Sequence, residues 1–157
     1  MTYSADDVKM ILYMILKKIV IDTCVIISSL KSQSGASYKI LSALNKNKFR
    51  YGISTALYCE YEAKIKELSG NGTLALNKKD IDVILAGIVF YSCAVPIYYR
   101  IRPNLKDENH NMVYECAVNF GADYIVTFNE KDFRGGDLKP YSPEIVSPQF
   151  LLKKVGI

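Results

Sequence analysis

Short runs of β-branched and aromatic residues alternate along this chain with stretches whose apolar positions repeat every three to four residues. The runs are Ile19-Val20-Ile21, Phe49 to Ile53, Ala94-Val95-Pro96-Ile97-Tyr98, Tyr124-Ile125-Val126 and Glu144 to Val146. Continuous Val/Ile runs of this length, bounded by polar residues, predict strands buried on both faces. Between them, Tyr38, Leu41 and Leu44 predict a helix from about Ala36 to Asn45. Leu57, Tyr61, Ile65 and Leu68 predict another, opened by Ser54 or Thr55. Ile81, Ile84, Leu85 and Ile88 mark a third, and Val113, Cys116, Ala117 and Phe120 a fourth. Pro148 opens a last helix, and Pro96 confines its strand to an edge or to a strand start. Strand and helix alternating throughout predict a three-layer α/β/α domain with a central, mostly parallel sheet.

Two polar stretches punctuate the pattern, Lys31-Ser32-Gln33-Ser34-Gly35 after the first strand and Ser69-Gly70-Asn71-Gly72-Thr73. Ahead of the first strand, Ser4 and Asp7 have the spacing of a helix cap. Val8, Ile11, Leu12 and Ile15 then continue at helical spacing. Residues 1–17 are therefore read as an amphipathic helix appended to a single domain over residues 18–157.

Composition narrows the class. The chain has 157 residues, 50% apolar, enough for one sizeable core. A net charge of +4 is mild, yet it suits a polyanion brought to an acidic site. Cys24, Cys59, Cys93 and Cys116 show no C-x-x-C spacing and read as buried reduced thiols of a cytoplasmic protein. No apolar run reaches membrane-spanning length, so no membrane association is expected. No glycine-rich phosphate loop occurs, which ranks an unrelated nucleotide-binding domain last.

The candidate chemistry lies at strand ends. Asp22 follows the first strand directly, and Asn129 and Asp132 follow the Tyr124-Ile125-Val126 run. The crevice beyond the carboxyl ends of parallel strands is where such sheets bind and react. Glu60, one turn into the helix after the second strand, is a further wall of that crevice. Carboxylates held together repel unless a cation compensates them, which points to a divalent metal. Asn129 and Asp132 also have the spacing of a helix cap and its third-position acid, and the two roles are compatible. Asp123 reads as a turn or capping residue. Tyr98, Tyr99, Arg100 and Arg102 interleave rings and cations; edge packing or a dimer contact is favoured over base stacking.

Four stretches together resemble the PIN-domain family, in its VapC-like toxin branch. They are Ile21-Asp22-Thr23-Cys24-Val25, Ser54-Thr55-Ala56-Leu57-Tyr58-Cys59-Glu60-Tyr61, the segment from Arg102 to His110, and Ala122-Asp123-Tyr124-Ile125-Val126-Thr127-Phe128-Asn129-Glu130-Lys131-Asp132-Phe133. The likeness covers roughly residues 18 to 152. It implies a Mg2+- or Mn2+-dependent endoribonuclease, the toxin of a toxin-antitoxin pair, dimeric and silenced by a small antitoxin protein. By position, Asp22 and Glu60 match the first two acids of the site. His110 falls where the third acid is expected, Asn129 where many relatives have another Asp, and Cys24 where the usual residue is Asn. The catalytic set so implied is Asp22, Glu60, His110, Asn129 and Asp132, with Asp22, Glu60 and Asp132 as metal ligands and Asp107 as a further candidate.

His110 leaves three readings open. Asp107 or Glu108 supplies the missing oxygen, or the imidazole shifts the preference away from magnesium, or the site binds metal weakly and cuts slowly or not at all. The last leads to an alternative function, a PIN-fold module that binds RNA or protein without hydrolysis. A bland reading of His110, a helix-start residue bonded to a loop carbonyl, also stands.

Overall fold

In the computed structural model, which describes residues 2–101, 105, 108–133 and 143–157, the apolar runs form the strands. They are β1 (Lys18–Ile21), β2 (Arg50–Ile53), β3 (Cys93–Ala94), β4 (Tyr124–Val126) and β5 (Glu144–Val146). All pair in parallel, in the order β3-β2-β1-β4-β5. The central strand carries Ile19, Val20 and Ile21 wholly out of solvent, as expected of a strand covered on both faces. The connecting helices are α1 (Ala5–Ile15), α2 (Thr23–Lys31), α3 (Ala36–Ser42), α4 (Thr55–Gly70), α5 (Lys78–Phe90), α6 (Glu108–Phe120) and α7 (Pro148–Val155). Helix α6 packs across β1, β2 and β4 and against α4, while α3 joins α2 to α7. The result is the three-layer α/β/α arrangement.

Several boundaries depart from the sequence pattern. Helix α2 is the largest difference, since the β-branched Val25-Ile26-Ile27 continues the composition of β1 into a helix. Burial of these three side chains overrides their weak helix propensity. Ser29 inside α2 turns its hydroxyl back to the Ile26 carbonyl at 2.6 Å, so that polar group is satisfied within the helix. Helix α3 stops at Ser42, followed by a 3-10 turn at Leu44–Lys46 and a left-handed Asn47 at φ 50°. Strand β3 is shorter than expected. Val95 still donates its N–H to the Ile53 carbonyl at 2.9 Å, but Pro96 has no N–H with which to extend the ladder.

Helix α1 forms as its capping signal predicts, with Ser4 and Asp7 closing a reciprocal capping box. None of its residues is buried, however, and Val8, Ile11, Leu12 and Ile15 all remain exposed. Its attachment runs through Tyr13, whose hydroxyl lies 3.3 Å from the Cys93 sulfur and whose ring sits under the Arg50 guanidinium at 4.9 Å. Asp123, read from the sequence as a turn or capping residue, ties the start of β4 to the start of β1. It accepts the Lys18 backbone N–H at 2.8 Å and pairs with the Lys17 ammonium at 3.1 Å. Burial works to raise its carboxyl pKa, but these donors together hold it below the ordinary value.

The closest constraint between layers is at Gly52. A Cβ there would lie 2.5 Å from Cδ1 of Phe120 on α6, nearer than ring carbons can yield without moving the helix. Gly52→Ala is expected to cost about 1–3 kcal/mol, the usual range for overpacking. Urea denaturation checks this, and Phe120→Leu in the Gly52→Ala background should recover part of the loss.

Candidate active site

The crevice opens where the sheet stops pairing on one side of β1. The β1–β2 ladder pairs Lys18 with Arg50 and Ile19 with Tyr51, whereas the β1–β4 ladder continues to Ile21 and Val126. Asp22 extends it with its N–H on the Val126 carbonyl at 2.9 Å. The Ile21 carbonyl accepts the hydroxyl of Tyr61 from α4, and that hydroxyl accepts in turn from Tyr51 at 3.1 Å. Both tyrosines are buried, and burial pushes both phenols above their ordinary pKa, so they stay neutral donors. This anchor sets the first turns of α4 at the strand end and carries Glu60, the residue before Tyr61, to the same edge.

Asp22 ends β1 and occupies the N-cap of α2, yet its side chain makes no capping bond. The carboxylate turns toward β4. Its Oδ2 accepts from the Thr127 hydroxyl at 2.6 Å and from the Cys24 thiol at 3.2 Å. Burial first, and the Asp22 charge second, push the Cys24 thiol up to about 11, which keeps it a protonated donor. Thr127 is fully buried and also accepts the Asn129 N–H at 2.9 Å. Neither Thr127 nor Thr23, whose hydroxyl donates to Glu60 Oε1 at 2.9 Å, was singled out from the sequence. The available signal was a hydroxyl residue directly after an apolar strand or beside a strand-end acid.

The strand ends and the first turns of α2, α4 and α6 enclose a cleft of about 760 Å³. Asp22, Glu60, His110 and Asn129 all line it, so four of the expected residues are brought together across the fold. His110 is buried at the start of α6, its Nε2 lies 3.8 Å from Asp22 Oδ2, and its ring packs on Phe133 at 4.7 Å. Asp132 is exposed on the 3-10 turn Glu130–Phe133 and does not line the cleft. Its N–H bonds the Asn129 backbone carbonyl at 2.9 Å, so the cap expected of the Asn129 side chain is made by its backbone. Asp107 and Arg102 lie outside the described residues.

The donor set can be tested against a divalent ion. Among the described residues, no group of three His, Cys, Asp or Glu is placed to hold one. Among those residues, too, both hydrogen bonds to the Asp22 side chain end on Oδ2. Glu60 likewise has one oxygen fixed by a hydroxyl. Two carboxylates held by the hydroxyls of Thr127 and Thr23 fit magnesium or manganese ions that retain most of their waters.

Tyr98 and Tyr99 are exposed, but their backbone is held elsewhere. Asn119 accepts both of their N–H groups at 3.0 Å and donates to the Tyr99 carbonyl at 2.8 Å. Asn119 stands near the end of α6 opposite to His110, about 13 Å along the helix axis. The loop that carries these rings is thus held away from the cleft. That geometry favours a contact surface over base stacking beside the carboxylates.

Residues 18–131 match the PIN-domain family model. Among solved structures, the chain is similar to VapBC2 from Rickettsia felis bound to a DNA fragment from their promoter, with a TM-score of 0.58 and 15% identity over 83% of this chain and 98% of that one. At that identity the likeness shows the fold. A search of the curated proteins finds no match.

Tyr61→Phe removes the hydroxyl that closes the Ile21 carbonyl and is expected to cost about 1–3 kcal/mol, the penalty for a buried acceptor left unmade. Tyr51→Phe, which removes only the outer donor, should cost less; paired urea titrations decide the order.

Proposed function

Because the chain belongs to the PIN-domain family, whose members are generally nucleases, we propose that it is a metal-dependent endoribonuclease, the toxin of a toxin-antitoxin pair acting in the cytoplasm. The observation that carries this reading is the anchored pair Asp22 and Glu60, each oriented by a hydroxyl, in one cleft with His110 and Asn129. Asp22 and Glu60 are the proposed ligands of Mg2+ or Mn2+. When bound, the ion neutralises phosphoryl charge and activates a water for attack on phosphorus.

The chain's own residues prepare that chemistry. Thr127 and Cys24 hold the Asp22 carboxylate through Oδ2, and Thr23 holds Glu60 through Oε1. Asp22 is the N-cap of α2 and Glu60 of α4 meets the first residue of α2 through the Thr23 hydroxyl, at the helix end whose dipole favours negative charge. Phe133 and burial hold the His110 ring in place. An imidazole at that position supplies nitrogen where an oxygen donor suits magnesium best, so manganese is the better-matched ion. Asn129, with its N–H on Thr127, contributes a neutral amide. Asp132, outside the cleft lining, receives no ligand role.

RNA is the proposed substrate, and a small antitoxin protein and a second copy of the chain are the proposed partners. The exposed apolar residues of α1, Phe90, Tyr91, Tyr98 and Tyr99 support a protein contact. No helix among the described residues is long and apolar enough to cross a membrane. A second reading, an RNA- or protein-binding module without hydrolysis, is favoured by one observation: His110 and Asn129 bring no negative charge to the cleft.

Cleavage of an end-labelled single-stranded RNA, titrated with each ion, separates the two. Manganese should support faster cutting than magnesium, and Asp22→Asn or Glu60→Gln should lower the rate by roughly 100-fold or more. His110→Asp should raise the magnesium-supported rate. No cutting with either ion, together with none on His110→Asp, would sink the enzyme reading and leave the binding module.

A further inference from the structure

The cleft extends well past its carboxylates. Its long walls are α2 and α4, which leave Asp22 and Glu60 behind and continue for about two turns, with Ile27, Ser28 and Lys31 on one side and Ala63, Lys64 and Leu68 on the other. Lys31 follows Asp22 by nine residues of helix, about 13 Å along the axis. Its flexible side chain spans part of that distance in either direction.

The charges along this groove are ordered. Asp22 and Glu60 occupy one end. On the α4 wall, Lys64 pairs with Glu67, which also lines the groove, at 2.9 Å. Lys31, exposed at the end of α2, has no ion pair among the described residues. Ser28 lies one turn before it and lines the same groove. An acidic end that calls for a cation is thus joined, past apolar Ile27 and Leu68, to an end that offers an ammonium and a hydroxyl.

A phosphodiester chain matches that order. Nucleotides that flank a scissile phosphate at the carboxylates have the groove between α2 and α4 open to them. Apolar walls at Ile27 and Leu68 suit sugar and base, and the exposed Lys31 ammonium suits the next charge along. We infer that Lys31, with Ser28, forms a phosphate-binding subsite that holds the RNA phosphate one or two nucleotides from the bond that is cut. The subsite deepens the nuclease reading and rests on it. Lys31 is on this account a positioning residue, acting on substrate placement and away from the reacting atoms.

The test uses the full chain carrying Asp22→Asn, so that RNA is bound without turnover, and measures affinity for a ten-nucleotide single-stranded RNA by fluorescence anisotropy across a salt series in magnesium. Adding Lys31→Ala should weaken binding roughly three- to five-fold, within the range of one solvated ion pair. The slope of log affinity against log salt should flatten by about 0.7, the loss of one phosphate contact on a single strand. Lys31→Arg should keep both values. Lys153→Ala, which removes the same charge from exposed α7, should change neither. In the cleaving protein, Lys31→Ala should raise KM with kcat retained. Equal losses for Lys31→Ala and Lys153→Ala would reduce the effect to overall charge and overturn the subsite. So would an unchanged slope in a protein that still cleaves RNA, whereas a wild-type chain that neither cleaves nor binds RNA overturns the nuclease reading and the subsite with it.

Discussion

A parallel ladder that ends on one side of a central strand leaves a main-chain acceptor in the core, and in this protein the Tyr61 hydroxyl closes it. That hydrogen bond to Ile21 does two things at once. It completes the backbone at the point where β1 and β2 part, and it fixes the register of α4 against the strand end. Without a donor there, the Ile21 carbonyl would be buried and unmade, or α4 would lie elsewhere and Glu60 with it. The crevice therefore follows from incomplete pairing, with one tyrosine converting a structural defect into a positioned wall.

The same economy governs the charges. Asp22 is buried, and among the described residues the one basic side chain within 4 Å of its carboxylate is His110, whose Nε2 lies at 3.8 Å. Its stabilisation comes from a hydroxyl, a thiol and the first turn of α2. Neutral donors of this kind hold a carboxylate in place without cancelling its charge, which remains available to an incoming cation. Cys24 illustrates the point. The position that the family resemblance would give to Asn carries a thiol whose raised pKa keeps the proton on sulfur, so the donor function survives the change of residue.

The strands, their order of burial and the acids at their ends were legible because β-branched runs and strand-end carboxylates are local signals. Helix α2 was not, since Val25, Ile26 and Ile27 share the composition of β1 and only their packing makes them helical. The spacing of Asp132 to Asn129 points to a shared site, whereas its exposure goes with a 3-10 turn that spacing does not reveal. Thr127 and Thr23 are not legible as site residues from spacing, because a threonine's value here lies in what its hydroxyl reaches across the fold. Spacing along one segment cannot display contacts between residues about a hundred positions apart.

The two edges of the sheet divide the surface by chemistry. At the carboxyl edge lie the acids, the imidazole and the groove between α2 and α4. At the amino edge, beside β2 and β3, Arg50 stacks on Tyr13 and approaches Phe120, Cys93 meets Tyr13, and Asn119 holds the backbone of Tyr98 and Tyr99. Helix α5 ends there too, with Phe90 and Tyr91 exposed. Several short contacts thus tie α1 and the Tyr98–Tyr99 loop to the body while their apolar groups face solvent. An apolar surface of that kind costs solubility unless something covers it. Placed at the other edge of the sheet, a cover there would leave open the crevice in which Asp22 and Glu60 stand.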